Sequence, residues 1–155
     1  MEKFLRLHRF ASQFDAQLTQ WGGALVGLAL RCYVGWQFFK AGIIKVSDWG
    51  ATLALFHDEY HVPLLPPDLA AVMGAAGELT FPVLLFVGLF SRPAAFGLFF
   101  VNLMAVISYP QLFMFECPAA INDHCFWGAM LLVLVAFGPG SLSLDKWLAG
   151  KWKRQ

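Results

Sequence analysis

The sequence predicts an all-α integral membrane protein: a four-helix bundle with one amphipathic helix on its outer face and an interfacial helix at its N-terminus. Three observations carry this prediction. Hydrophobic residues make up 59% of the chain and charged residues 14%, where a soluble domain carries about a quarter charged residues. Four apolar stretches, about 22–44, 69–90, 93–115 and 124–142, each approach the ~20 residues that a helix needs to cross a bilayer. The charges between them alternate in sign. Lys3, Arg6 and Arg9 precede the first stretch, Arg92 separates the second from the third, and Lys146, Lys151, Lys153 and Arg154 follow the fourth. The other two connections are acidic, with Asp48, Asp58, Glu59 and Asp68 in one and Glu116 and Asp123 in the other. The positive-inside rule then puts both termini and the Arg92 turn in the cytoplasm and both acidic loops outside. A net charge of +1 gives no field to attract nucleic acid. The lipid bilayer is the expected partner.

From the N-terminus, residues 3–20 place Phe4, Leu7, Ala11, Phe14 and Leu18 at three- and four-residue intervals beside basic residues. That pattern predicts a helix lying on the cytoplasmic leaflet or docked on a partner protein. There is no compact apolar region followed by a small-residue cleavage site, so no cleavable signal peptide is expected. Gly23 and Gly27 open the first span four residues apart, a spacing that permits close backbone approach. In the loop that follows, Trp49, Leu53, Phe56 and Tyr60 share one face, which predicts an amphipathic helix over 47–61 across the outer mouth. Pro66 and Pro67 suit the start of the second span, where a missing N–H costs nothing. Phe137-Gly138-Pro139-Gly140 ends the last helix, and Trp147 and Trp152 in the basic tail suit an interfacial anchor. No repeat or second domain is evident, so residues 1–155 form one membrane domain.

Polar residues within apolar spans are costly and mark a function or a buried pairing. Arg31, Glu78 and Asn102 lie near the middle of three spans. Rise per residue places Arg31 and Asn102 at similar depth, with Glu78 within reach of the arginine. One reading is an Arg31–Glu78 ion pair with Asn102 hydrogen-bonded nearby, fixing helix register. The other is a polar pocket for a quinone head group or another small polar ligand, whose carbonyl oxygens need donors. Lys40 is nine residues from Arg31, on the opposite helix face, and is expected to snorkel to the interface. Lys45 and Asp48 can pair with Glu116 or Asp123 across the outer mouth, or anchor the interface. Cys32 is expected to be a small buried apolar residue.

The outer loops hold a second constellation. His57 and His61 have the i,i+4 spacing that aims two imidazoles at one ion from a helix, and Cys117, His124 and Cys125 face the same compartment. Thiolates with imidazoles suit copper or zinc. A disulfide between Cys117 and Cys125 is the stronger competing reading in an oxidising compartment; a redox-active dithiol and free thiols remain as further alternatives. The sequence has no phosphate-binding glycine loop, nucleophile elbow or Cys-x-x-Cys pair.

The string Arg31…Gly35…Gly42-Ile43-Ile44-Lys45-Val46-Ser47-Asp48 resembles the first-helix signature of the DoxX family of small membrane proteins. Glu78, then Leu84-Leu85…Gly88-Leu89…Arg92-Pro93-Ala94-Ala95, resembles that family's passage from second to third helix. Gly138-Pro139-Gly140-Ser141-Leu142-Ser143-Leu144-Asp145 resembles its closing motif. Phe56-His57-Asp58-Glu59-Tyr60-His61-Val62-Pro63-Leu64-Leu65 is similar to a proteobacterial subgroup. The resemblance implies a four-helix bundle in the bacterial inner membrane. It also implies a link to redox metabolism, because related DoxD-type proteins are subunits of a thiosulfate:quinone oxidoreductase. The subgroup implies company with proteins handling metal or oxidative stress.

Three classes of function follow. The first is a redox-associated, quinone-linked accessory or membrane subunit of a larger system, centred on Arg31, Glu78, Asn102 and Lys45. The second is a copper- or zinc-handling protein, or one serving metal or oxidative stress, using the outward His and Cys residues. The third is a non-catalytic membrane scaffold for a partner protein. A protein partner or homo-oligomer is expected in the first and third; a transporter would need to oligomerise to form a pathway.

Overall fold

The computed structural model describes residues 1–114 and 119–152, and within 2–20 the backbone with the side chains of Arg6 and Ser12. The described residues form helices and turns, with no strand. α1 runs Glu2–Ser47, α2 Trp49–Asp58, α3 Pro67–Val87, α4 Ser91–Ser108, α5 Ala119–Phe137 and α6 Leu144–Trp152. A 3-10 turn, Pro110–Phe113, follows α4.

Most boundaries have a local chemical cause. Asp48 ends α1 and caps α2, its carboxylate accepting the Ala51 N–H at 2.9 Å, as short polar side chains do at helix starts. Pro67 stands in the first turn of α3, and Gly88 ends it with φ +73°, a left-handed conformation that glycine adopts without a Cβ penalty. Pro110 cannot donate an N–H, and α4 stops two residues before it.

Some elements differ from expectation. The separate interfacial helix at 3–20 does not form: those residues belong to α1, which is unbroken to Ser47. The Gly22-Gly23 pair lowers helix propensity by about 1 kcal/mol per residue, too little to break the hydrogen-bond ladder where no cap or proline interrupts it. α2 ends at Asp58 rather than 61, because the Tyr60 N–H turns back to the Leu55 carbonyl and the His61 N–H donates to the Ser108 carbonyl at 2.7 Å. The third span closes at Ser108 rather than near 115. The fourth begins at Ala119 and ends at Phe137, ahead of Gly138.

α1, α3, α4 and α5 form the bundle. α1 packs on α3, α3 on α4, α4 on α5, and α5 returns to α1. α1 and α3 are antiparallel: Gly35 faces Phe86 and Gly42 faces Glu78 and Leu79. The core is built from Val34, Phe38, Leu85, Ala94, Ala95, Leu98, Leu131 and Leu134. α2 is laid across α3 through Phe56, Ala70 and Ala71, with Trp49, Leu53 and Tyr60 packed around them. The close approach expected at Gly23 and Gly27 is made to the Pro139-Gly140 turn: a Cβ on Gly27 would stand 3.2 Å from the Pro139 carbonyl, and one on Gly140 3.4 Å from the Gly23 carbonyl. α3, α4 and α5 are long and apolar enough to cross a membrane. Exposed side chains such as Leu25, Trp36, Val72, Phe96, Phe100 and Leu132 give the bundle an apolar exterior that suits lipid.

Candidate functional site

Each end of the bundle holds a cation, fully buried at one end and partly buried at the other. Arg31 on α1 is fully buried. Its Nε donates to the Gly27 carbonyl at 3.4 Å, its Nη1 to the Leu85 carbonyl at 3.1 Å, and its Nη2 to the Leu142 carbonyl. Leu85 lies in the last turn of α3, where unpaired carbonyls and the helix dipole favour a cation. Leu142 belongs to the Gly138–Asp145 segment, which enters the same cluster a second time. The Asp145 carboxylate accepts the Phe90 N–H at 2.8 Å and the Ser91 N–H at 2.9 Å, and the Asp145 N–H donates to the Gly88 carbonyl at 2.9 Å. A residue at the start of α6 thus caps the start of α4. Arg92 closes the corner by donating from Nη2 to the Ala136 carbonyl at 3.3 Å.

At the opposite end, Lys45 Nζ donates to both oxygens of Glu78, at 2.8 and 2.7 Å. Glu78 is 7% exposed. The expected Arg31–Glu78 pair is therefore replaced by Lys45–Glu78, and Lys45 does not reach across to Asp123. The cause is geometric. Side chains lean toward the N-terminus of their own helix, which aims Arg31 back at Gly27 and the end of α3. Leu85 lies seven residues beyond Glu78, about 10 Å along the helix axis. The same lean brings Lys45 back to the level of Gly42, which packs on Glu78.

Asn102 is separate from both cations and joins α4 to α5. Its Nδ2 donates to the His124 carbonyl at 3.0 Å, and His124 Nδ1 lies 2.8 Å from Asn102 Oδ1. An amide oxygen accepts only, so this contact puts the proton on Nδ1 and leaves Nε2 as the lone-pair nitrogen of the neutral ring. His124 meets Trp127 edge-on, and Trp127 meets Phe38.

Tyr60 roofs the Glu78 end. It packs edge-on against Phe56 and Tyr109 with centroids 4.8 and 5.0 Å away. Burial pushes its phenol up to about 12, with the negative charge of Glu78 adding to the effect, followed by Tyr109 and Glu59. Tyr109 is raised in the same direction by burial and by Glu59, whose carboxylate accepts its hydroxyl hydrogen bond. Two hollows flank α2. One of about 420 Å³ lies between α1 and α2, walled by Ala41, Ile44, Ala51 and Leu55, with Lys45, Asp48 and Thr52 as its polar lining. Another of about 340 Å³ is lined by Phe56, His57, Tyr60, His61, Val62, Leu65 and Pro67.

The outward His/Cys residues are dispersed. His57 Nε2 is paired with Asp68 at 2.8 Å. His61 lies past the end of α2, so the helical i,i+4 arrangement with His57 is not formed. His124 is engaged by Asn102, and Cys125 is exposed, with no disulfide among the described residues. Cys117 and Glu116 lie outside the described residues, and so does the expected Cys117–Cys125 bridge. Among the described residues, no three His, Cys, Asp or Glu side chains stand together as a metal site. Cys32, expected inside, is exposed on the outer surface of α1, and Lys40 is exposed as expected.

The DoxX family profile matches residues 26–111, from the second half of α1 through α2, α3 and α4. The chain belongs to the DoxX family. This DoxX match contains Arg31, Lys45, Glu78, Gly88 and Asn102; Asp145 and His124, which complete the contacts, lie beyond it. An uncharacterized protein of Haemophilus influenzae is 29% identical over 136 residues, covering 84% of this chain and 88% of that one. No solved structure matches the chain.

In the sequence Tyr60 is only one residue of an apolar stripe, and the link between His124 and Asn102 crosses two helices with no sequence spacing to reveal it. Asp145 was visible within the closing motif, though its role as a cap for another helix was not.

Proposed function

We propose that this DoxX protein is a quinone-linked accessory subunit of a larger redox system in the bacterial inner membrane. The observation that carries the reading is the Lys45–Glu78 pair beside an apolar hollow of about 420 Å³, within the range of small-molecule pockets. Lys45 spends two of its three N–H groups on Glu78. The third can donate to the carbonyl oxygen of a quinone ring lying between Ile44 and Leu55. Glu78 keeps that ammonium charged and in place, which costs far less than leaving either charge unpaired in the bundle.

The alternation of basic and acidic connections supports four crossings with both termini cytoplasmic. The second half of α1 is then the first crossing, the Arg31 cluster lies at the cytoplasmic end, and the Lys45–Glu78 pair lies toward the periplasm. Electrons reach the ligand from a protein partner. Arg31 holds the scaffold and takes no part in binding. Asn102 and His124 tie α4 to α5 at the wall.

The test is titration of the full chain in nanodiscs with a short-chain quinone, followed through tryptophan quenching; Trp49 opens α2. Lys45→Met and Glu78→Gln run beside wild type, with Lys40→Gln as a control that keeps the pair. Saturable quenching in wild type and control, lost in Lys45→Met, is the expected result. Linear quenching of equal slope in all four would reduce the pair to a packing device.

A further inference from the structure

Helix α6 has no buried residue, although its position is fixed. Asp145, in its first turn, is bound to Gly88, Phe90 and Ser91 through three hydrogen bonds. That tether sets α6 at the end of the bundle where α3 turns into α4 and α5 terminates. Leu144, Trp147, Leu148 and Trp152 fall at positions i, i+3, i+4 and i+8, a stripe along one side of a helix. All four are exposed, Trp152 to 85%. At the same end, Phe90 and Phe137 are also exposed, at 63% and 82%. The end of the bundle that holds the stripe thus carries further exposed apolar side chains.

Its charge is mainly basic. Lys146 and Lys151 lie on α6 and Arg92 at the start of α4, while Lys153 and Arg154 follow in the sequence. The acidic residue of the helix, Asp145, has both carboxylate oxygens committed to capping α4. Lys151, seven residues after Leu144, falls within the stripe and folds its ammonium over the Trp147 ring at 4.0 Å. Tryptophan beside lysine on an amphipathic helix at a membrane rim is the arrangement that seats at the boundary of acyl chains and head groups.

We propose that α6 is a binding surface for anionic phospholipid, lying in the interface with Trp147 and Trp152 among the acyl chains and Lys146 and Lys151 against phosphate. Because Asp145 joins α6 to the start of α4, and Leu142 joins the same segment to Arg31, lipid bound there braces the cytoplasmic cluster. This surface is independent of the quinone site, and either can fail alone.

The experiment uses the full chain with Cys32, Cys117 and Cys125 replaced by alanine and a nitroxide placed at Leu148→Cys or Gly150→Cys. A Cβ at Gly150 would meet nothing within 4 Å, so the label is accommodated there. Nanodiscs contain phosphatidylcholine alone or phosphatidylcholine with phosphatidylglycerol, and accessibility to oxygen is compared with that to a water-soluble nickel chelate. With phosphatidylglycerol, the label at 148 is expected to favour oxygen several-fold and the label at 150 to favour nickel. In Lys146→Glu/Lys151→Glu, or in phosphatidylcholine alone, the 148 label moves toward water. Equal depth in both lipids and in the charge-reversed variant would overturn the claim of anionic selectivity. A 148 label shielded from both reagents would mean that protein covers the stripe, overturning the proposal outright. Quenching of the native tryptophans by brominated phosphatidylglycerol, compared with Trp147→Phe/Trp152→Phe, reads the same surface without any label. No loss of quenching in that variant would equally refute it.

Discussion

At one end of the bundle a fully buried cation is divided among backbone carbonyls; at the other a partly buried one is held by a single carboxylate. Arg31 donates to Gly27, Leu85 and Leu142, groups from three chain segments that no substitution can remove. Lys45 donates to Glu78 alone among the described side chains. The first arrangement uses the planar, multiply donating guanidinium to join segments. The second keeps a compact charge with one N–H to spare beside an open hollow. A cation satisfied by backbone makes a rigid corner, whereas a cation satisfied by one side chain, with space beside it, can change partner. This contrast separates the scaffold from the candidate site.

The largest effect should come from the rigid corner. Gly88→Val imposes a side chain on φ +73° and drives its Cβ into Arg31 Nη1. The left-handed backbone alone costs about 1–2 kcal/mol, and the displaced arginine leaves the Leu142 carbonyl unpaired for about 1–3 kcal/mol more. Little folded protein should be recovered in mild detergent, as size-exclusion chromatography would show. Asp145→Ala removes the cap from Phe90 and Ser91 and should cost about 1–2 kcal/mol, measurable by denaturant titration of the solubilised chain. Were Asp145→Ala silent, the corner would be less coupled than its hydrogen bonds indicate.

At the other end a double-mutant cycle sharpens the contrast. Lys45 is only partly buried and a glutamine oxygen can still accept from it, so Glu78→Gln should cost less than Lys45→Met, which leaves the Glu78 carboxylate without its cation at about 1–3 kcal/mol. The double variant should recover much of that loss, since neither charge is left alone. Simple additivity in the same denaturant titration would show that the two residues act separately. The smallest effect concerns pH. Tyr60 is raised to about 12 in the folded protein, from about 10 in an unfolded chain. The stability it contributes is fully present below pH ~10 and is lost as pH climbs toward ~12. Tyr60→Phe should flatten stability across that window and remove the latest-titrating component of the ultraviolet phenolate band. An unchanged profile would mean that Tyr60 is not shielded beside Glu78.

Much of the architecture was legible in the chain. Apolar length and the placement of Arg92 and Pro67 located the bundle helices, because hydrocarbon thickness and backbone hydrogen bonding leave few alternatives. Arg31, Lys45, Glu78 and Asn102 were visible as polar residues in apolar surroundings. Their pairing was not, since partners lie on different helices and the direction of side-chain lean selected Lys45 for Glu78. The His57/His61 pairing failed for a related reason: a carbonyl at Ser108, distant in sequence, drew the chain out of its helix before His61.

What the sequence by itself determined is the class of solvent, the helical state and the inventory of buried polar groups, because these follow from local composition and the cost of exposing backbone to lipid. The tertiary structure decided which groups meet. Arg31 finds the carbonyls of Leu85 and Leu142, and Asp145 caps a helix that begins 54 residues earlier than itself. A hydrogen bond is made within ~3 Å, and only the packed bundle brings such distant segments that close.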